Sequence, residues 1–394
     1  MRRILVWPSE MIWPANLPYI ALLRTMHEPE KPLTPKWLNL SRKKFFVIIC
    51  LGSMVYYWLP GYIMPVLTAF SWMCMINPRH VLLSQVTGNG GFGFGVFQFD
   101  WLTIRSSLDS PILCPRWAQL NILVGFILTC WLFIPILYFT NTWNWKSFPI
   151  SNGGFFSPPG NPTDIYLSVT FVIGYNLFLA SFAALVTHTI LYHGKYIVKQ
   201  FSMSLKKRQN DVHCQLMARY SDVPEWVYLV IFLCAFIIGC VTCHFSHLMP
   251  WYYLFLTVSI SFICLLLTGI VAAKTNIEID IVTIVVLLGG VIFKLKPLAS
   301  LTFVTFAWST QKQAFILISY LKFGHYMKIS PKVMLTTQLI ITILAAIIKY
   351  GITEHLLKTI EGLCTFTNRD WSCPHMNQLA IVFASNDTGM LKSL

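Results

Sequence analysis

The sequence predicts an all-α fold: a polytopic membrane helix bundle of about eight transmembrane helices plus two re-entrant or broken segments. Three observations carry that reading. Of 394 residues, 56% are hydrophobic and 15% aromatic, whereas 11% are charged, against about 25% charged in a soluble domain. Apolar runs of about 18 residues or more recur along the chain, enough to cross a hydrocarbon core of about 30 Å. The net charge of +14 sits in loops beside these runs, as expected of flanks that fix topology. No zinc-finger, basic-helix or RNP-type pattern accompanies that charge, which argues against nucleic acid as a partner.

Taken in order, residues 1–43 read as a cytoplasmic arm, rich in Arg24, Lys31, Lys36, Arg42 and Lys43. Pro8, Glu10 and Pro14 interrupt its apolar run before a signal-peptide core can form. The region 44–353 holds the crossings, near 44–59, 61–78, 117–140, 165–192, 226–248, 251–273, 280–300 and 333–353. Pro60-Gly61 separates the first two, which are short enough to form one kinked passage instead. Residues 81–100 and 301–321 are apolar but interrupted by glycines or polar residues, so both are re-entrant candidates, tolerated where they are buried in protein or line a cavity. The loop 193–225 carries Lys195, Lys199, Lys206, Lys207, Arg208 and Arg219, which assigns it to the cytoplasm. Residues 354–394 then form an extracytoplasmic loop and tail.

Ionisable groups are scarce inside these runs, which narrows the candidates. Asp100 follows the glycine-rich run Gly88–Gly95; a carboxylate at membrane depth is a functional candidate, and an interfacial helix cap is the alternative. The glycine run lacks the Gly-Lys-Ser/Thr ending of a phosphate loop and suits a tight turn between packed segments. His188 is a second titratable group within a run, read first as a hydrogen-bonded structural histidine. Glu278 and Asp280 could take a proton or a substrate amine, or sit in a solvated turn. Cys243, His244 and His247 lack a fourth ligand, so no metal site is assigned. Cys364 and Cys373 fall in the outer loop, where a disulfide can form, with two free thiols as the alternative. No His-Glu-x-x-His or Gly-x-Ser-x-Gly pattern is present, so no catalytic residue and no cofactor is expected.

The stretch Lys322-Phe323-Gly324-His325-Tyr326-Met327-Lys328-Ile329-Ser330-Pro331-Lys332 lies between two apolar runs. It resembles the Leu-Gly-His-Tyr-Met-Lys-Ile-Pro-Pro-Arg signature of the oligopeptide transporter family, with Ser330-Pro331-Lys332 in place of Pro-Pro-Arg. The resemblance covers nearly the whole chain and is closest to plant members of the peptide-transporting branch. Collinear blocks carry it: Arg3-Ile4-Leu5-Val6-Trp7-Pro8, Tyr57-Trp58-Leu59-Pro60-Gly61, Phe99-Asp100-Trp101, Asp211-Val212-His213, Val223-Pro224-Glu225-Trp226 and Trp371-Ser372-Cys373-Pro374. After Thr275-Asn276 the family pattern is lost, and no counterpart of its glutamate follows.

The resemblance implies a proton-coupled secondary transporter of small oligopeptides: tetra- and pentapeptides, glutathione or related metal chelates. Its partners would be the peptide, protons and the lipid bilayer of a plasma membrane. Asp100 becomes the favoured proton- or substrate-coupling acid and Asn276 a polar contact at a helix break. His325, Tyr326 and Lys328 would line the cytoplasmic mouth, with Lys328 attracting a peptide carboxylate or serving as plain positive-inside anchoring. Family members are longer than this chain, so the alternative is a truncated, non-transporting remnant or regulatory partner. A homo-oligomer or association with a full-length relative would be the way such a chain completes a carrier built from paired repeats.

Overall fold

The computed structural model describes residues 2–28, 41–77, 79–88, 90–100, 113–151, 167–195, 198 and 212–363. Among these the regular structure is helical, with one isolated β-bridge between Phe70 and Phe97. The helices are α1 Arg2–Leu5, α2 Leu17–His27, α3 Arg42–Ile63, α4 Trp72–Ile76, α5 Val81–Thr87, α6 Arg116–Phe139, α7 Val169–Tyr192, α8 Val212–Met217, α9 Glu225–Phe245, α10 Tyr253–Thr275, α11 Val282–Ile292, α12 Pro297–Met327 and α13 Pro331–Thr359. Six of them, α3, α6, α7, α9, α10 and α13, are long and apolar enough to cross a membrane. Their exposed side chains, such as Ile340, Ile343 and Ile347 on α13, have lipid as their natural solvent, because burying apolar area gains nothing extra when tails already surround it.

Three expected elements differ from this pattern. The segments 44–59 and 61–78 do not form two crossings. Instead α3 runs through Pro60 and Gly61 in a π-turn at its end, and short turns follow at Pro65–Ala69 and Trp72–Ile76. Proline removes one backbone donor and a π-turn absorbs the mismatch, so the helix is distorted there rather than stopped. The segment 280–300 is split, since α11 ends at Ile292 and a turn with Leu295 at φ 60° leads into Pro297 at the start of α12. Residues 301–321 are not broken but form the middle of the 31-residue α12. Their polar side chains are spaced along one helix and return bonds to its own carbonyls, as Thr305 does to Leu301 at 2.8 Å, so they do not interrupt it.

The chain divides into two compact units. One takes the described residues within Met1–Ile12, Ser181–Ile270 and Ile279–Ser393, the other those within Trp13–Ala180 and Val271–Glu278. In the first, α10 and α12 are tied by Ser261 donating to the Ala307 carbonyl at 2.7 Å and by Gln311 donating to Thr268 Oγ1 at 3.2 Å. Asp280 accepts from Trp308 Nε1 at 2.8 Å and from the Val282 amide at 3.1 Å, just ahead of α11. Gly289 lets α11 lie close on α12, because an added Cβ would meet Ser300 Oγ at 3.0 Å and Val304 Cγ2 at 3.4 Å. Gly289→Val should therefore cost about 2–3 kcal/mol by overpacking; thermal unfolding of the solubilised protein at the wild-type midpoint would refute that contact.

The second unit has its own core of Phe92, Ile134, Tyr138, Trp145, Ile150, Val169 and Ile173. Here the glycine-rich run acts as the tight turn its sequence suggests. The Phe92 and Phe94 amides donate to the Gln85 and Val86 carbonyls at 2.9 and 3.0 Å, folding the run back along α5. A Cβ on Gly91 would stand 2.1 Å from the Gln85 carbonyl oxygen, so only glycine fits. The reversal delivers Phe92 into the core and stacks Phe94 on Trp131, with ring centroids 4.7 Å apart.

Candidate functional site

The signature stretch folds as a helix end, a turn and a helix start. Lys328 closes α12 in the left-handed region, at φ 59°, and both its amide and that of Ile329 return to the Gly324 carbonyl. Pro331 then opens α13, where its missing N–H costs no helical bond. Gly324 keeps the two helices close, since a Cβ there would meet Met334 Cγ at 3.0 Å. Lys322, His325 and Tyr326 stand at i, i+3 and i+4, so they share one face of α12.

Against that face lie residues 2–12, of which Ile4, Leu5, Val6 and Met11 are almost fully buried. Lys322, 1% exposed, donates from Nζ to the Val6 carbonyl at 2.8 Å and the Pro8 carbonyl at 3.0 Å. Its ammonium also lies 5.0 Å from the Tyr326 ring centroid. Tyr326 Oη donates to the Ile12 carbonyl at 3.1 Å. A buried ammonium is tolerated only when its donors are used, and two main-chain carbonyls plus a ring face do that here. Leu5 fits beside α10, where a Cβ on Gly269 would come within 2.9 Å of Leu5 Cδ1.

Helix α8 completes the cluster. Lys328 Nζ meets His213 Nδ1 at 2.5 Å and the His325 carbonyl at 3.2 Å. The His213 ring sits edge-on to Tyr326, centroids 5.3 Å apart, and 6.1 Å from His325. Cys214 Sγ is 3.7 Å from the Trp7 carbonyl and 3.9 Å from His325 Nε2. Beside these groups opens a cavity of about 290 Å³ lined by Arg2, Trp7, Cys214, Asp222 and His325, among others.

Of the residues singled out from sequence, His325, Tyr326 and Lys328 come together in this cluster. Asp100 and Asn276 belong to the other unit. Asp100, 7% exposed, follows a stretch held by the Phe99 amide on the Leu67 carbonyl and by Tyr56 Oη on the Phe99 carbonyl. Asn276 ends α10 at φ 64°, and its side-chain Nδ2 is buried with no hydrogen-bond partner. Cys364 and Cys373 lie outside the described residues. Cys114, just ahead of α6, is buried, and burial pushes its thiol above the ordinary range. Among the described residues no three His, Cys, Asp or Glu side chains converge as metal ligands. Lys322, His213, Cys214, Arg2 and Asp222 are the members that sequence reasoning missed. The signal for Lys322 was its spacing of three and four from His325 and Tyr326.

Apolar helices of crossing length, a helix pair interrupted between Thr275 and Val282, and a polar cluster at helix ends define a polytopic, integral membrane protein of all-α class. The profile of the family described as "OPT oligopeptide transporter protein" matches residues 1–390, and the chain belongs to that family. Among curated relatives, Oligopeptide transporter 7 of Arabidopsis thaliana is 33% identical over 399 residues, covering 95% of this chain and 52% of its own length. Oligopeptide transporter 3 of the same plant is 32% identical over 404 residues, covering 95% and 54%. The Sexual differentiation process protein isp4 of Schizosaccharomyces pombe is 32% identical over 400 residues, covering 95% and 50%. The chain thus spans about half the length of the relatives it matches. No solved structure matches it.

Proposed function

We propose that this chain carries small oligopeptides across a membrane as a secondary transporter coupled to protons. The family match over nearly the whole chain is the observation that carries this reading. In it, the loop 193–225 and the signature 322–332 face the cytoplasm, residues 354–394 face outward, and the plasma membrane is the site of action. The interruption between α10 and α11 supports a transport path there, because irregular backbone at membrane depth persists where it lines a cavity. Asn276, with its unpartnered buried amide, supplies a polar contact at that break. Substrates are tetra- and pentapeptides, glutathione among the small thiol peptides, and their metal chelates. Association with another copy, or with a full-length relative, is part of the same reading.

The test is uptake of labelled tetrapeptide and glutathione by vesicles carrying the 394-residue chain, with and without an inward proton gradient. Gradient-dependent accumulation is expected. Well-inserted protein that takes up neither, beside a full-length relative that does, would refute transport by this chain.

A further inference from the structure

The cavity beside the signature cluster contains a cation whose hydrogen-bonding capacity is only partly used. Arg2 Nη2 donates to Asp222 Oδ1 at 3.3 Å, long for a charge-assisted bond. Its guanidinium carbon lies 5.7 Å from the Trp7 ring centroid, within cation–π range. Arg2 Nε is buried and has no hydrogen-bond partner. An N–H removed from water and left unpaired is costly, and a guanidinium edge of Nε and Nη is the geometry that grips a carboxylate through two parallel bonds. Asp222 on the same cavity supplies the opposite charge.

We propose that this cavity binds a short peptide as a zwitterion, its terminal carboxylate on the Nε–Nη2 edge of Arg2 and its ammonium on Asp222. The inference rests on the peptide reading above and adds the site and its anchors. It also moves the carboxylate contact away from Lys328, whose ammonium is already engaged by His213 and the His325 carbonyl. A free phosphate fits less well, because the neighbouring Asp222 carboxylate repels a multiply charged anion. At about 290 Å³ the space is near the low end for small-ligand sites, about 300–1,000 Å³. It therefore encloses the end of a peptide rather than its full length. Trp7 and His325 supply apolar faces for the terminal side chain.

The test is equilibrium dialysis of labelled tetraalanine and of its C-terminal amide against the full chain in lipid nanodiscs. The free acid should bind about 10- to 100-fold more tightly, the value of losing hydrogen bonds to a charged group. Arg2→Gln should erase the difference, and Arg2→Lys should restore it in part, keeping the charge without the fork. Equal binding of acid and amide by the wild-type protein would overturn this site while leaving peptide recognition intact. A preference for the acid that survives in Arg2→Gln would place the carboxylate elsewhere. Binding of neither peptide would overturn the peptide reading and this inference together.

Discussion

Replacing Lys322 with alanine should detach residues 6–12 from the end of α12 and lower the stability of that unit by about 4 kcal/mol. Two effects add. The Val6 and Pro8 carbonyls lose their donor in a place that is 1% exposed, at about 1–3 kcal/mol for each unsatisfied group. Truncation to Cβ also leaves a cavity beside the Val6 and Pro8 carbonyls and the Tyr326 ring, worth roughly 2 kcal/mol or more for a long side chain. One effect opposes them, since removing the ammonium also removes the cost of burying it. Lys322→Met separates the terms, because methionine nearly fills the space and carries no charge. It should be milder than alanine, at about 2 kcal/mol, if the unmet carbonyls outweigh the relieved charge. Thermal unfolding of the solubilised protein and amide exchange over residues 2–12 would measure both. A methionine variant more stable than wild type would reverse the ranking and mean that the lysine is kept at a stability cost.

That lysine also shows what the sequence could and could not disclose. Composition and the length of apolar runs identify helices, so α6, α7, α9, α10 and α13 were legible to within a few residues. The second predicted crossing does not form: the π-turn carries α3 through Pro60 and Gly61 to Ile63, and short elements follow it. Likewise the polar residues of 301–321 read as a break, although Gln311 and Trp308 are satisfied across to Thr268 and Asp280. Interhelical bonds of this kind are tertiary facts, and a linear hydropathy pattern does not contain them. The true break falls at Asn276, where an asparagine adopts a left-handed backbone at little cost.

The candidate site was legible by halves for the same reason. His325, Tyr326 and Lys328 stand out as a short polar string between apolar runs, and they do converge. Tyr326 and the neighbouring Lys322 have as partners the backbone carbonyls of residues 12, 6 and 8, more than 300 positions away in sequence. A carbonyl acceptor has no residue type, so nothing in the letters marks it. His213 and Cys214 sit in a basic loop that reads as a topology signal, and the fold gives them a packing role beside α12.

If Asp100 is the coupling acid of the proposed proton-driven transport, Asp100→Asn should reduce gradient-driven peptide accumulation to the level seen without a gradient, while insertion and thermal stability stay near wild type. Asparagine matches aspartate in shape but has no carboxyl group to take up or release a proton. Asp100 is 7% exposed, and an ionisable residue kept inside an apolar helical protein is a functional candidate by default. The size of the effect follows from the gradient. One proton per peptide and one pH unit supply about 1.4 kcal/mol, or roughly tenfold accumulation, and the variant should lose all of it. Exchange of labelled for unlabelled peptide at equal pH should persist, because that flux needs the binding site but no net proton movement. A fall in exchange as large as the fall in accumulation would make Asp100 a binding or folding residue. Accumulation that still follows the gradient in the asparagine variant would move the coupling acid elsewhere, with Asp280, held by Trp308 at the start of α11, as the next carboxylate to substitute.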